Sequence, residues 1–185
     1  MCTEGVAMMF ERFSKDADWL AAFNVPVADK AKYSAAGARM RRDRLLIFSR
    51  WAQVMFRFEK ELYRDPSQDL NKLWWDLVEK YQLLKRPEGR NAPDYASKIH
   101  IVSAPVYYHN YMMGQLFASQ VHHALSKDVF NAKPNEVIYI GEKKVGEFMK
   151  KKVFEPGRTK DWKGLTKFAT GEDLNPKAFA KDFEG

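Results

Sequence analysis

The chain has 185 residues, 45% hydrophobic and 30% charged, which suits one folded domain with a core of its own and excludes a disordered or low-complexity chain. Thirty-one Lys and Arg against twenty-four Asp and Glu give a formal charge of +7, a basic excess that speaks for solubility rather than for nucleic acid. The single cysteine excludes an intrachain disulfide, and no apolar run approaches the ~18 residues of a membrane span.

The opening MCTEGVAMMFERF has acidic residues inside its apolar run and no basic lead, so it does not read as a signal peptide. Val6, Met9, Phe10 and Phe13 recur there at helical spacing, with Thr3 as the N-cap. A helix already under way at Thr3 reads as a fragment or truncated product. Ser14 and Asp16 restart a helix through Trp19, Leu20 and Phe23, which Asn24 and Pro26 stop. The longest helical signal runs from about residue 28 to Arg64. In it Leu45, Phe48, Ala52, Met55 and Leu62 form one stripe, and Ile47, Trp51, Val54 and Phe58 an adjacent one. An apolar arc that wide belongs to a helix covered by several neighbours. Asp65-Pro66 ends it, and Ser67 is expected to cap the next helix, with Leu70, Leu73, Trp74, Leu77, Val78 and Tyr81 inward.

KRPEGRNAPDYASK is a loop, broken by Pro87, Gly89 and Pro93. Ala104-Pro105 is expected to open a helix reaching about Ser126, since proline is favoured in a first helical turn, with an extended lead-in before it. Residues 131–135 form a turn. Residues 136–140 are read as an extended run, a strand being the alternative, leading into a helix over 141–153. Short helices follow at 162–169 and 176–183, the second capped by Asn175. No segment alternates with period two. The expectation is an all-α, multi-helix, single domain spanning residues 1–185.

The sequence contains no HExxH, CxxC, GxGxxG, GKS, GKT or GxSxG, so no complete zinc, phosphate or serine-hydrolase site can be assembled from local signatures. His122 and His123 are adjacent on a helix and point about 100° apart, too far to chelate one ion; they read as cations at a helix C-terminus. The basic runs RMRRDR and MKKKV lack interleaved aromatics and read as solvated faces, not as a nucleic-acid site.

The chemistry concentrates in KIHIVSAPVYYHNYMMGQLFASQVHHAL, residues 98–125. Lys98 and His100 share a side if the segment is extended, and Tyr108 and Tyr111 share a face of the following helix. A Tyr O–H and a His N–H held on a rigid frame can donate to a developing oxyanion, and a nearby lysine can neutralise a peptide's terminal carboxylate. The alternative is that Tyr107, Tyr108 and Tyr111 are core residues with satisfied hydroxyls.

This stretch resembles a segment of the angiotensin-converting-enzyme family of zinc peptidyl-dipeptidases: Lys-x-His-Ile, a hinge, Tyr-x-x-Tyr, and a helix ending His-x-Ala-Leu. LNKLWWDLVEKYQLL, FSRWAQVMFRFEKELY and TEGVAMMF resemble three further helices of that family in the same order, so the likeness covers roughly residues 3–150. The resemblance implies that His100 and Tyr111 bind the scissile carbonyl and that Lys98 and Tyr108 hold the substrate's C-terminal carboxylate. It implies too that Glu4 is the third zinc ligand, where the residues alone suggest only a first-turn acid facing the helix dipole. In the family the remaining ligands and the general base come from an HExxH helix upstream, which this chain lacks. The implied partners are a peptide substrate and the missing N-terminal half of a catalytic domain, and the uncovered aromatic helices leave self-association open.

The hinge is one residue longer than in the animal enzymes, and placing the extra residue before the tyrosines selects Tyr108 over Tyr107. Asn110 stands where chloride-activated members carry Arg. Spaced tyrosines after a histidine also occur in thimet-oligopeptidase-like enzymes, so dipeptide release and endopeptidase cleavage both stay open. So does a stand-alone helical peptide-binding module without catalysis.

Overall fold

The computed structural model describes residues 1–184, and among them every regular element is helical. Helix α1 spans Cys2–Glu11. Its N-cap is Met1, and Thr3, the expected cap, lies two positions further on, inside the helix. A 3-10 turn, Arg12–Lys15, leads to α2, Ala17–Ala22. The Asp16 carboxylate caps α2 by accepting the N–H groups of Asp18 and Trp19, each at 2.9 Å. Helix α3 runs Lys30–Arg64 and α4 Leu70–Gln82. Asp69 caps α4 by accepting the Lys72 N–H at 2.9 Å, whereas Ser67, the expected cap, turns its hydroxyl back to Asp65 at 2.6 Å.

Between Lys98 and Ser103, where an extended lead-in was expected, the chain forms a one-turn helix, α5, Ile99–Val102. Helix α6 begins only at His109 and ends at Leu125. Val106 takes a φ of 55°, the left-handed region, so no right-handed helix can pass through it from Pro105. A π turn, Ser126–Phe130, extends α6. Residues 137–140 form no strand. Helix α7, Lys143–Met149, runs into a second π turn, Lys150–Phe154. Helix α8, Trp162–Thr170, starts on an Asp161 cap, and Gly171 closes it at a φ of 81°. Helix α9 is Lys177–Lys181; its cap position is Pro176, and Asn175 accepts the Lys177 N–H at 2.9 Å.

The chain divides into two compact units, Asp43–Met112 and Met1–Arg42 with Met113–Gly185. In the first, Val54, Met55, Phe58, Trp74 and Val78 form the core between α3 and α4, flanked by Trp51, Leu73, Tyr81, Tyr95, Ile101 and Tyr108. Phe58 meets Trp74 edge-on at 5.2 Å and Tyr95 at 4.8 Å. Ile47, expected in this stripe, is 59% exposed. Helix α4 runs out beside it: Gln82 donates to the Ile47 carbonyl at 3.2 Å, and Arg50 donates to the Tyr81 carbonyl.

In the second unit Met9, Phe13, Phe117, Val121, Leu125, Tyr139, Val145 and Met149 form the core, with Cys2 and Val6 packed against it. Helices α1 and α6 touch backbone to backbone. A Cβ on Gly114 would lie 2.8 Å from the Glu4 Cβ and 3.0 Å from the Gly5 nitrogen. Two glycines in register are what lets the helices come so close.

His122, near the end of α6, is not the solvated cation the sequence suggested. His122 is 2% exposed, with Nε2 2.8 Å from the Pro134 carbonyl and Nδ1 2.6 Å from the Tyr139 hydroxyl. A carbonyl only accepts, so Nε2 carries the proton and Nδ1 accepts from Tyr139. Burial, reinforced by the Arg12 charge, pulls the His122 pKa down to about 3, keeping the ring neutral.

Candidate active-site wall on the α5–α6 hinge

In the unit Asp43–Met112, four of the expected site residues come together. Lys98 is the N-cap of α5, in an extended conformation, and His100 lies in the single turn that follows. Two ties fix the segment ahead of them. Arg90 holds the Asp94 carboxylate with two hydrogen bonds, the longer at 2.7 Å, and the Trp75 indole donates to the same carboxylate at 3.0 Å. The Arg90 hydrogen bonds hold the Asp94 carboxyl below its usual range, against its partial burial.

After the hinge, Tyr108 precedes α6 and Tyr111 lies in its first turn. His100 Nε2 sits 3.0 Å from the Tyr111 hydroxyl. The His100 ring meets Tyr108 edge-on at 5.0 Å and 88°, and Tyr108 meets Tyr111 at 5.0 Å. These edge-to-face contacts lock both tyrosine rings against the imidazole. Tyr107 also packs against Tyr111, ring centroids 5.5 Å apart.

The Lys98 ammonium lies over the face of Trp51 at 5.5 Å, a cation–π contact that parks the charge beside the tyrosines. Burial raises the Tyr108 phenol above its ordinary pKa, and a hydrogen bond with the Trp51 side chain offsets part of that rise. Tyr108 therefore remains a protonated donor at neutral pH. All four side chains are neither sealed nor fully exposed. The arrangement presents hydrogen-bond donors and one fixed cation on a partly open wall, fit to grip a carbonyl oxygen and a carboxylate.

Two neighbours escaped the sequence reading. Trp51 was assigned only to the core, yet it touches both Lys98 and Tyr108. Glu59 is 6% exposed and accepts the backbone N–H of Val106. The signal was present: an acid in line with Ala52, Met55 and Leu62 on the apolar face of α3 needs a partner.

A family model described as angiotensin-converting enzyme matches residues 48–185. The chain belongs to the angiotensin-converting enzyme family of peptidases. No curated protein and no solved structure matches it. The matched residues take in Lys98, His100, Tyr108 and Tyr111, while Glu4 lies ahead of them.

Peptidases of the angiotensin-converting enzyme family depend on zinc. Among the described residues no group of three His, Cys, Asp or Glu side chains could hold a metal ion. Glu4 offers one carboxylate, on α1 in the other unit. The donors among the described residues therefore do not make a zinc site by themselves, since a catalytic zinc needs about three protein ligands. Among the described residues no helix is long and apolar enough to cross a membrane.

Proposed function

We propose that the wall of Lys98, His100, Tyr108 and Tyr111 is the substrate-binding part of a zinc peptidase that hydrolyses peptides near their C-terminus. His100 and Tyr111 grip the scissile carbonyl and donate to the charge that develops on its oxygen. Lys98 and Tyr108 hold the substrate's terminal carboxylate, the lysine by charge and the phenol by hydrogen bond. The HExxH residues belong to another stretch of polypeptide, and Glu4 is a zinc ligand only in their company. The whole chain, 1–185, is then one portion of a catalytic domain and is inactive alone.

The observation that carries this reading is the 3.0 Å contact between His100 Nε2 and the Tyr111 hydroxyl, made across the hinge by two separate helices. Tyrosines that only fill a core require no such imidazole partner.

Binding tests it. Trp51 lies against Lys98, so indole fluorescence reports an occupant of the wall. A tripeptide with a free C-terminus should quench saturably, its amidated twin should bind at least about tenfold more weakly, and Lys98→Ala should abolish the difference. Equal binding of the two peptides removes the carboxylate role and favours an endopeptidase-like site. No binding of either removes the peptide wall. Turnover of a blocked tripeptide by this chain with added zinc would refute the missing ligand set.

The absence of HExxH from the sequence favours one second reading, a helical module that binds peptides without cleaving them. It shares the binding results. It parts from the first reading if co-expression with a family HExxH half restores no hydrolysis.

A further inference from the structure

The basic run MKKKV lacks interleaved aromatics in the sequence, and the fold supplies them. The π turn Lys150–Phe154 packs against α8, and Val153 from the turn and Ala169 from the helix enter one core. With Leu165, Thr166 and Ala169 buried, α8 leaves Lys163, Lys167 and Phe168 outside. The Phe168 ring then lies under two ammonium groups, Lys152 Nζ at 4.7 Å and Lys160 Nζ at 5.0 Å from its centre. Lys163 covers Trp162 in the same way at 5.4 Å.

Three rings stay out of the core at this corner: Phe154 is 50% exposed, Trp162 43% and Phe168 41%. Around them the charge is one-sided. From Lys150 to Phe168 the chain carries six lysines and Arg158 against two acids, Glu155 and Asp161. Asp161 caps α8 by accepting the Gly164 N–H at 2.7 Å, and Glu147, just ahead of the run, pairs with Lys150 at 3.1 Å. Lys152 and Lys160 share one ring, so their charges stand no more than about 10 Å apart, about one Debye length at moderate salt. They repel each other, and an array of phosphates laid against them would relieve that repulsion.

The side chains decide among polyanions. A nucleic-acid base stacks on an open aromatic face, and cations already sit over Phe168 and Trp162. A fixed carboxylate or phosphate on a peptide is read best by arginine forks, and this run has one arginine. Lysines are point charges on long stems that follow a fluid sheet of headgroups, while half-exposed rings settle at headgroup depth.

We propose that this corner, the π turn together with α8, docks on the surface of an anionic lipid bilayer. The lysines meet the headgroup phosphates, and Phe154, Trp162 and Phe168 sink between them. Such adsorption needs no spanning helix, and among the described residues none is long and apolar enough to span. The proposal does not depend on the peptidase reading, whose wall lies in the other unit.

Vesicle flotation of the full chain tests it, with phosphatidylcholine alone and with equal parts of phosphatidylglycerol and phosphatidylcholine. The chain should float with the anionic vesicles and not with the neutral ones, and high salt should release it. Lys152→Gln with Lys160→Gln should weaken partitioning at least about tenfold, the loss of two lysines from an anionic surface. Lys60→Gln with Lys85→Gln removes the same charge from exposed lysines of the other unit and should leave it unchanged. Phe168→Ala, which keeps the charge, should weaken it several-fold. Circular dichroism of each variant verifies the fold. No flotation with anionic vesicles, or equal loss in the two double variants, overturns the proposal. So does oligothymidylate that draws the chain off the vesicles at equal phosphate concentration, which would make the corner a nucleic-acid surface.

Discussion

The buried carboxylate of Glu59, on α3, accepts the backbone N–H of Val106, and Val106 sits at a φ of 55° in the hinge between His100 and Tyr111. A β-branched residue in the left-handed region is strained by about 1–3 kcal/mol, and the hydrogen bond to a buried charge offsets that strain. Glu59→Ala should lower stability by about 1 kcal/mol, the net worth of the lost hydrogen bond, since Val106 is itself 60% exposed and water can reach it. Val106→Gly should raise it by up to about 1 kcal/mol, because glycine takes the same φ freely. Urea unfolding followed by tryptophan fluorescence reads both. If Val106→Gly destabilises as much as Glu59→Ala, strain in the hinge is not the reason for the contact.

Tyr111→Phe separates a structural hydroxyl from a working one. The residue is half-buried, so its loss should cost no more than about 1 kcal/mol in unfolding. The ring nitrogen resonances of His100 should nevertheless shift, since Nε2 loses a partner at 3.0 Å. Peptide binding at the wall should fall with it. A large stability loss with unchanged peptide affinity would make the tyrosine an ordinary packing residue.

His122 makes the protein acid-sensitive in a defined window. Its pKa is about 3 when folded, against 6.5 for the free side chain. Below the higher value the unfolded chain takes up a proton that the folded chain refuses. Stability should therefore fall as pH drops from near 6.5 toward 3, by about 1.4 kcal/mol per pH unit once well inside that interval. Asp182 has its folded pKa depressed, so its contribution is lost only below the ordinary carboxylate range. Denaturation midpoints at pH 4–6 in His122→Gln should lie on a flatter line than in the parent chain.

Asp182→Asn removes the charge that neutralises Arg12 and Arg41. Arg12 is 9% exposed at its side chain, and a buried cation left without its anion typically costs about 3–5 kcal/mol. The melting temperature should fall sharply, and added salt should recover part of the loss.

Gly114→Ala and Gly146→Ala should move stability in opposite directions. At Gly114 the new methyl would meet the Glu4 Cβ at 2.8 Å, and overpacking of about 1–3 kcal/mol outweighs the helix propensity gained. At Gly146, inside α7, nothing lies within 4 Å, so alanine should stabilise by about 0.5–1 kcal/mol.

The long helix α3 was legible because its end is written locally, in Asp65-Pro66. The grouping of Lys98, His100, Tyr108 and Tyr111 was legible from residue types and from the family pattern they resemble. The path of the hinge was not. Ile-His-Ile-Val is a single helical turn, too short to show a period, and nothing about valine announces a left-handed φ at Val106. His122 was misread because its partners Tyr139 and Pro134 arrive from beyond the turn that follows α6. The pairing of Arg12 with Asp182 spans 170 positions and leaves no local trace at either end. Residues that answer to sequence neighbours can be read from the sequence, and those that answer to folding partners cannot.

Cys2 is the protein's only thiol. It lies on α1 against the core, and burial raises its pKa, which slows attack on any alkylating reagent. Modification at that sulfur is therefore a clock for α1 lifting away from α6, readable by mass spectrometry without altering a single residue.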